Sequence, residues 1–237
     1  DLEIVLKHLE NPGREHAFHV ARYDTSSRFY LCEKLYGRQE ALGALDSVFD
    51  NAISDSPKLC MVKGPPGIGK SKLIAEFCRH ITKKRGRSMF ARFEQFEQAM
   101  PYAGFNQAVD NLMQQLFTYG SSELEDLKAR LILDLGEDRW LLNQQLPAFL
   151  KILPSQKPNL TLELDVQLSK LKDIVVKAFS CFASSSQPLV IILDDLQWSD
   201  QMTLDLMFHL AESSIVGLMI IGSYRDNEVG EGHSLDS

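Results

Sequence analysis

The segment GPPGIGKS, residues Gly64–Ser71, constrains the fold of this chain more than any other. It follows the apolar run Leu59–Val62. Apolar residues at helical spacing come after it: Leu73, Ile74, Phe77, Cys78 and Ile81. The glycines of the segment permit backbone angles that other residues resist, so successive N–H groups can turn towards one anion at the positive end of the helix. A strand, a glycine loop and a helix in this order predict a cradle for nucleotide phosphates.

We call this segment the phosphate loop. The candidate nucleotide contacts are its residues and the one that follows: Gly64, Pro65, Pro66, Gly67, Ile68, Gly69, Lys70, Ser71 and Lys72. Lys70 is placed to meet the β and γ phosphates, and the Ser71 hydroxyl is placed to hold Mg²⁺. The loop therefore predicts an NTP-binding protein.

A second candidate element is the apolar run Leu189–Leu193, which ends in Asp194 and Asp195. A strand buried on both faces of a parallel sheet delivers its terminal carboxylates to the edge where ligands bind. Asp194 is then placed to hold Mg²⁺ through water, and Asp195 to orient or deprotonate the attacking water. The alternative is a buried strand whose two acids only begin a turn. The phosphate loop upstream favours the Mg²⁺ interpretation.

The run Gly217–Arg225 predicts another buried strand, and it ends in an arginine. A guanidinium at this edge of a parallel sheet can bind a phosphate through two hydrogen bonds and respond to its loss. Arg225 is therefore a candidate reader of the γ-phosphate. The alternative is an arginine that pairs with Asp226 or Glu228 at the surface.

Four apolar segments alternate with helical patterns, near residues 59–63, 88–93, 189–194 and 217–224. This alternation predicts an α/β fold of three layers, in which helices cover both faces of a parallel sheet. Between Arg92 and Pro188 lies a long helical insertion, whose leucine and phenylalanine faces we interpret as core. The alternative is a docking surface that includes Trp140. We expect Ser199 to cap the helix that follows the two acids.

Composition narrows the class of protein. A chain of 237 residues with 44% hydrophobic content can bury one α/β core and an appendage. The net charge of −7 argues against a nucleic-acid partner, which needs a basic face. No apolar run approaches the roughly 20 residues that span a bilayer. The cysteines Cys32, Cys60, Cys78 and Cys181 show no paired close spacing, so we expect reduced thiols and a cytoplasmic protein.

Several segments together carry a family resemblance: KLYGRQEALGAL at Lys34–Leu45, the phosphate loop, RFEQF and MPYAGFNQAV within 92–109, VIILDDLQWSD, and IIGSYRDNEV. In this order they resemble the ATPase module of the STAND branch of the AAA+ ATPases. More narrowly, they are similar to the origin-recognition-like ATPase domain of large signalling proteins. Those proteins join a serine/threonine-kinase-like domain, this ATPase, sensor domains and often a histidine kinase.

The resemblance implies a P-loop NTPase that binds ATP and Mg²⁺. Its sheet has AAA+/RecA-like order, with the strand before the phosphate loop and the strand of the two acids side by side. Residues 1–33 would be the tail of an upstream kinase-like domain and its linker, and residues 34–237 the ATPase core without its C-terminal lid.

The family packs its LYGRQ-like segment around the adenine, so Tyr36, Gly37 and Arg38 are candidates for the base side of the site. The alternative is the start of a helix with Arg38 in solvent. This chain has Asp195 where many AAA+ ATPases carry glutamate, which puts efficient hydrolysis in doubt.

These observations lead to one functional hypothesis and two alternatives. The hypothesis is an ATP-binding switch that hydrolyses ATP slowly and couples to the kinase and sensor domains of the same polypeptide, with a homo-oligomer possible. The first alternative is a nucleotide-binding scaffold without turnover. The second is the ATPase module of a transcription regulator or a nucleotide cyclase.

Overall fold

The computed structural model describes residues 37–95, 101–117, 121–157, 163–230 and 235. These residues belong to one unit, Leu35–Ser237. The assignment of residues 1–33 to a linker and kinase tail lies outside the described residues and stays a prediction. Within the part of the chain that is described, no helix is long and apolar enough to cross a membrane.

The fold consists of strands that alternate with helices. The strands are β1 (Lys58–Lys63), β2 (Arg87–Arg92), β3 (Leu189–Asp194) and β4 (Leu218–Tyr224). The helices are α1 (Gln39–Ser54), α2 (Lys70–Lys83), α3 (Ala103–Leu116), α4 (Ser121–Leu135), α5 (Arg139–Gln145), α6 (Leu164–Ser180) and α7 (Gln201–Ala211). Short 3-10 turns occupy Gly136–Asp138, Pro147–Lys151 and Leu196–Trp198. All four predicted strands are confirmed to within one residue at each end.

The strands form one parallel sheet in the order β1-β4-β3-β2. The expectation that β1 and β3 lie side by side is wrong, because β4 lies between them and pairs with both. The difference in burial between the strands fits β3 and β4 as central strands and β1 and β2 as edge strands. Strands β3 and β4 are buried over almost their whole length, whereas β1 and β2 carry partly exposed and charged residues that an edge tolerates.

Helices cover both faces of the sheet, as the α/β prediction requires. Along β3, Val190 and Ile192 face a cluster built with α1 and α2, which includes Phe49 and Phe77. The intervening Ile191 faces the larger cluster, to which α3 to α7 contribute. This alternation follows from the two-residue period of a strand. The result is a three-layer α/β fold with its ligand edge at the carboxyl ends of the strands.

The helical insertion between β2 and β3 is mainly core. Trp140 is only 5% exposed, so it belongs to the interior and not to a docking surface. The predicted cap of α7 is wrong by one residue. The side chain of Asp200, not Ser199, accepts a hydrogen bond from the backbone N–H of Thr203 at 2.9 Å. A carboxylate in this position satisfies one of the free N–H groups of the first turn.

Candidate phosphate-binding site

The phosphate loop joins the carboxyl end of β1 to the first residue of α2. Gly67 has φ of 78° and Gly69 has φ of 96°, in the left-handed region that side chains disfavour. A Cβ atom built at either position meets nothing within 4 Å. Glycine is therefore required here for its backbone angles and not for space. These angles place the loop at the amino terminus of α2, where anions are stabilised.

The side chain of Lys70 lies against this loop. Its Nζ donates to the carbonyl oxygen of Gly64 at 2.7 Å and to that of Pro65 at 3.2 Å. Both acceptors are neutral, so a phosphate would attract the ammonium group more strongly than they do. The lysine is thus positioned at the loop in the way that phosphate binding requires.

The phosphate loop meets the first acid through a hydroxyl. Ser71 Oγ donates to Asp194 Oδ2 at 2.9 Å, and Ser223 Oγ donates to Asp194 Oδ1. Asp194 is only 2% exposed. A hydroxyl beside a carboxylate offers the hard oxygen ligands that Mg²⁺ prefers, with its remaining ligands supplied by phosphates and water. The residue types and their placement fit a Mg²⁺ ion that arrives with a nucleotide.

The second acid has a different environment. Asp195 follows β3 with φ of 62°, and its side chain is 6% exposed. Arg92 donates to its Oδ2 from Nε at 3.1 Å and from Nη2 at 3.0 Å. Gln197 donates to Oδ1 at 3.1 Å, and Arg225 Nε lies 3.3 Å from the same oxygen. Both carboxylate oxygens therefore have donors.

These donors change the acidity of Asp195. Burial acts to raise the pKa of its carboxyl group. The hydrogen bonds from Gln197 and Arg92, with the charges of Arg225 and Arg92, outweigh burial, and the pKa lies below its ordinary value. Asp195 is thus held as a carboxylate and is a weak proton acceptor while both arginines remain.

Arg225 makes the surface ion pair that the alternative expects, and it also lies at the candidate site. Its Nη1 donates to Glu228 Oε1 at 2.8 Å, as the surface alternative expects. Its Nε also reaches Asp195, and its guanidinium carbon lies 4.7 Å from the ring centroid of Trp198. An arginine held by two acids and an aromatic face is well fixed in position.

Arg92 is the residue that the sequence analysis missed. It is the last residue of β2, and its register partner on β3 is Asp194, one residue before Asp195. A signal existed in the sequence, because Arg92 ends an apolar strand as Arg225 does. Only the strand order shows that the two arginines meet at the same carboxylate.

The described residues line an open cavity of about 200 Å³ at the phosphate loop. It is lined by Pro66, Gly67, Gly69, Lys70, Ser71, Lys72, Arg92, Asp195 and Arg225. Lysine and arginine outnumber acids in this lining, which suits an anion. A neighbouring cavity of about 540 Å³ is larger and shares Arg92, but it lacks the phosphate loop. The smaller cavity is therefore the candidate phosphate site.

The proposed base side of the site is described in part. Gly37 has φ of 73°. The half-buried Arg38 donates from Nη2 to the carbonyl oxygen of Ile68 in the phosphate loop at 2.9 Å. Arg38 is thus connected to the loop, although it also begins a helix as the alternative expects. Tyr36 lies outside the described residues.

A parallel sheet with a glycine loop between its first strand and a helix defines a P-loop NTPase fold. Residues 34–221 match the family described as AAA ATPase domain. The match covers most of the chain, which therefore belongs to the AAA ATPase domain family.

The chain is also 28% identical over 198 residues to "Hybrid signal transduction histidine kinase G" of Dictyostelium discoideum. This match covers 83% of the chain but only 6% of that relative.

Two solved structures are also similar to this chain. Cdc6p from Pyrobaculum aerophilum has a TM-score of 0.45 and 14% identity, over 85% of this chain and 42% of its own. A chain in the structure of Drosophila ORC bound to DNA has a TM-score of 0.39 and 10% identity, over 83% of this chain and 78% of its own. Similarity at this level adds nothing to the argument for function.

Proposed function

We propose that this chain is an ATP-binding module that hydrolyses ATP slowly and acts as a switch inside a larger signalling protein. The observation that carries the proposal is the engagement of Asp195 by Arg92 and Arg225 at the same cavity as Lys70. A γ-phosphate in that cavity would compete with Asp195 for both arginines. Binding of a nucleotide would thus affect the contacts among the carboxyl ends of β2, β3 and β4.

Binding uses the residues that approach the phosphate loop. The loop N–H groups and Lys70 would contact the β and γ phosphates. Ser71 and Asp194 would hold Mg²⁺, which supplies charge neutralisation between the phosphates. Arg38 would lie on the base side, since it already contacts Ile68 of the loop.

Hydrolysis needs Asp195 as a proton acceptor. The oxygen of a water molecule attacks the γ-phosphorus, and the bond from that phosphorus to the oxygen bridging to the β-phosphate breaks. The water proton passes to an Asp195 oxygen, and ADP and phosphate leave. Because donors occupy both Asp195 oxygens and lower its pKa, we expect turnover to be slow.

The switch follows from the lifetime of the γ-phosphate. Its contacts with Lys70, Mg²⁺ and Arg225 exist only before hydrolysis, so hydrolysis changes which arrangement is favoured. The similarity to a hybrid signal transduction histidine kinase supports a signalling context. We propose that neighbouring kinase and sensor domains of a cytoplasmic polypeptide respond to this change, and that the module can also associate with a second copy.

Calorimetric titration with ATP and ADP, with and without Mg²⁺, tests the binding step. We expect saturable binding by the parent chain. Lys70→Ala should weaken it by roughly tenfold to a hundredfold, because an ammonium–phosphate contact is lost. Lys83→Ala is the matched control, since it removes the same charge at the far end of α2. Equal affinities for all three proteins would contradict the assigned site.

Phosphate release tests the hydrolysis step. The expected result is slow release of phosphate by the parent and none by Asp195→Asn. Rapid turnover would contradict the slow switch. Tightly copurified nucleotide without phosphate release would instead favour the scaffold, a function that the fully engaged Asp195 also allows.

A further inference from the structure

We propose that the cavity of about 540 Å³ beside the phosphate site is a second binding site, for a small molecule without negative charge that carries carbonyl oxygens on an apolar body. We call it the amide cavity, after the side-chain amides of Asn106, Gln107 and Gln145 in its lining. It lacks the phosphate loop, so this second site does not depend on the proposed function.

The walls of the amide cavity come from segments that the fold brings together. Phe93 follows β2, Gly104 lies in the first turn of α3, Pro147 begins a 3-10 turn and Trp198 ends another. A Cβ atom at Gly104 would lie 2.1 Å from the ring of Phe93, so glycine lets this ring pack directly on the helix. Apolar walls of this kind suit the body of an organic ligand, and the volume lies in the ordinary range for small-molecule sites.

Two neighbouring amides of α3 offer hydrogen-bond donors in this cavity. Asn106 Oδ1 accepts a hydrogen bond from the backbone N–H of Ala148 at 2.9 Å. Gln107 Oε1 accepts one from the backbone N–H of Arg92 at 2.7 Å. Only the oxygen of an amide can accept from a backbone N–H, so these bonds fix which atom of each amide is the donor. Within the described part of the chain, neither NH₂ group has an acceptor.

These donors define what a ligand must supply. A ligand that displaced water from them without offering acceptors would leave them unpaired, which costs binding free energy. A carbonyl oxygen has two lone pairs, so one or two carbonyl groups can satisfy both NH₂ groups. We therefore assign carbonyl compounds, amides among them, to the amide cavity.

Charge separates the amide cavity from the phosphate cavity. The phosphate cavity has four cationic side chains and one acid in its lining. The amide cavity has one cationic side chain, Arg92, and three acids: Glu94, Asp110 and Asp200. Arg92 is already paired with Asp195. An acidic lining disfavours a phosphate or a carboxylate, so the amide cavity is not an extension of the phosphate site.

Trp198 connects the two cavities. This half-buried residue lines the amide cavity, and its ring centroid lies 4.7 Å from the guanidinium carbon of Arg225, which lines the phosphate cavity. A ligand in the amide cavity would therefore change the surroundings of the Trp198 ring. The chain has two tryptophans, so Trp140→Phe leaves Trp198 as the single tryptophan that reports binding.

Titration with N-acetylphenylalanine amide and with N-acetylphenylalanine tests the ligand class, because the two probes differ only in a carboxamide against a carboxylate. We expect the amide to bind with a dissociation constant near about 1 mM, as its size allows, and the carboxylate to bind roughly tenfold more weakly. Calorimetry on the parent chain measures both affinities. Trp198 fluorescence in Trp140→Phe should saturate over the same range of amide concentration.

Variants of the two donors locate the probe. Gln107→Glu keeps an oxygen that accepts from the N–H of Arg92 but removes the NH₂ group, so the affinity for the uncharged amide should fall roughly tenfold. Asn106→Asp makes the same change at the other donor and carries the test if Gln107→Glu does not fold. Gln144→Glu is the matched control, since Gln144 is exposed on α5 and does not line the cavity.

The possible outcomes separate the two sites. Equal affinities for amide and carboxylate, no binding of the amide up to about 10 mM, or equal behaviour of Gln107→Glu and Gln144→Glu would overturn the amide cavity as a binding site. Displacement of the amide by ATP would overturn it too, because the probe would then lie in the phosphate cavity. A parent chain that binds the amide but not ATP would contradict the proposed function and leave the amide cavity in place.

Discussion

The phosphate loop and the strand-end cluster, which consists of Arg92, Asp194, Asp195 and Arg225, form two sides of one candidate site. The phosphate loop takes its residues from one continuous segment between β1 and α2. The strand-end cluster takes its residues from the ends of β2, β3 and β4. The loop therefore depends mainly on local backbone angles, whereas the cluster depends on the order and register of the sheet.

A second contrast lies inside the cluster. Asp194 accepts hydrogen bonds from two serine hydroxyls, Ser71 and Ser223. Asp195, the next residue, is engaged by two arginines and a glutamine. Adjacent acids of the same type thus acquire different chemistry from their neighbours. The first has the hydroxyl neighbours that suit a metal ion, whereas the second is held as a carboxylate by cationic neighbours.

Replacing each acid by its amide should give the largest effects. We expect Asp195→Asn to lower the hydrolysis rate by roughly a hundredfold or more, because general-base catalysis contributes about that much. Affinity for a non-hydrolysable ATP analogue should not fall, because an amide competes less than a carboxylate for Arg92 and Arg225. Asp194→Asn should instead remove most of the gain in affinity that Mg²⁺ provides. Single-turnover phosphate release and calorimetry with and without Mg²⁺ measure the two effects.

Equal effects of Asp194→Asn and Asp195→Asn would contradict the proposed difference between the two acids. A loss of Mg²⁺-dependent affinity in Asp195→Asn would place the ion between the two acids. Ser223→Ala is a useful companion variant, since it removes one donor to Asp194 without changing a charge.

Substitution of Gly222 tests how closely β4, which carries Arg225 at its end, is packed in the sheet. A Cβ atom at Gly222 would lie 2.5 Å from Leu196 Cδ1 and 2.7 Å from Met61 Sδ. We expect Gly222→Ala to lower the free energy of unfolding by about 1–3 kcal/mol, as overpacking does. Denaturant unfolding measures the change.

Gly43→Ala is the matched control. Gly43 is exposed within α1, and an added Cβ meets nothing within 4 Å. Alanine should stabilise that helix by up to about 1 kcal/mol. Destabilisation of the same size by both variants would mean that close contact at β4 is not the cause.

The phosphate loop, which one continuous segment forms, could be predicted from the sequence. The phosphate loop, its flanking strand and its helix follow from glycine positions and apolar periodicity. Asp194 ends the predicted strand, and Asp195 comes directly after it. The strand order was wrong in one respect, because the position of β4 depends on pairing between distant segments. The apolar run of β4 was nevertheless a usable signal, since a strand without charges along its length favours a central place.

The strand-end cluster could be predicted only in part. Asp194, Asp195 and Arg225 stand out as polar ends of apolar runs. Arg92 was not identified, because its role depends on the register that places it opposite Asp194. The left-handed backbone of Asp195 also leaves no clear pattern in the sequence. Tyr36 and the proposed boundary at residue 34 stay predictions.

The pH dependence of stability gives the smallest expected effect. Because the pKa of Asp195 is lowered in the fold, its ionised form contributes stability that is present above the unfolded pKa of about 3.9 and is lost as pH falls through the lower folded pKa. The cost of Asp195→Asn should therefore be full at neutral pH and shrink below about pH 4. We expect less than about 1 kcal/mol, because Arg92 is exposed and solvent screens the pair. Urea unfolding at a series of pH values measures the difference. A cost that does not change with pH would show that Asp195 stabilises the fold as a hydrogen-bond acceptor alone, and the contrast between the two acids would then rest on geometry and not on charge.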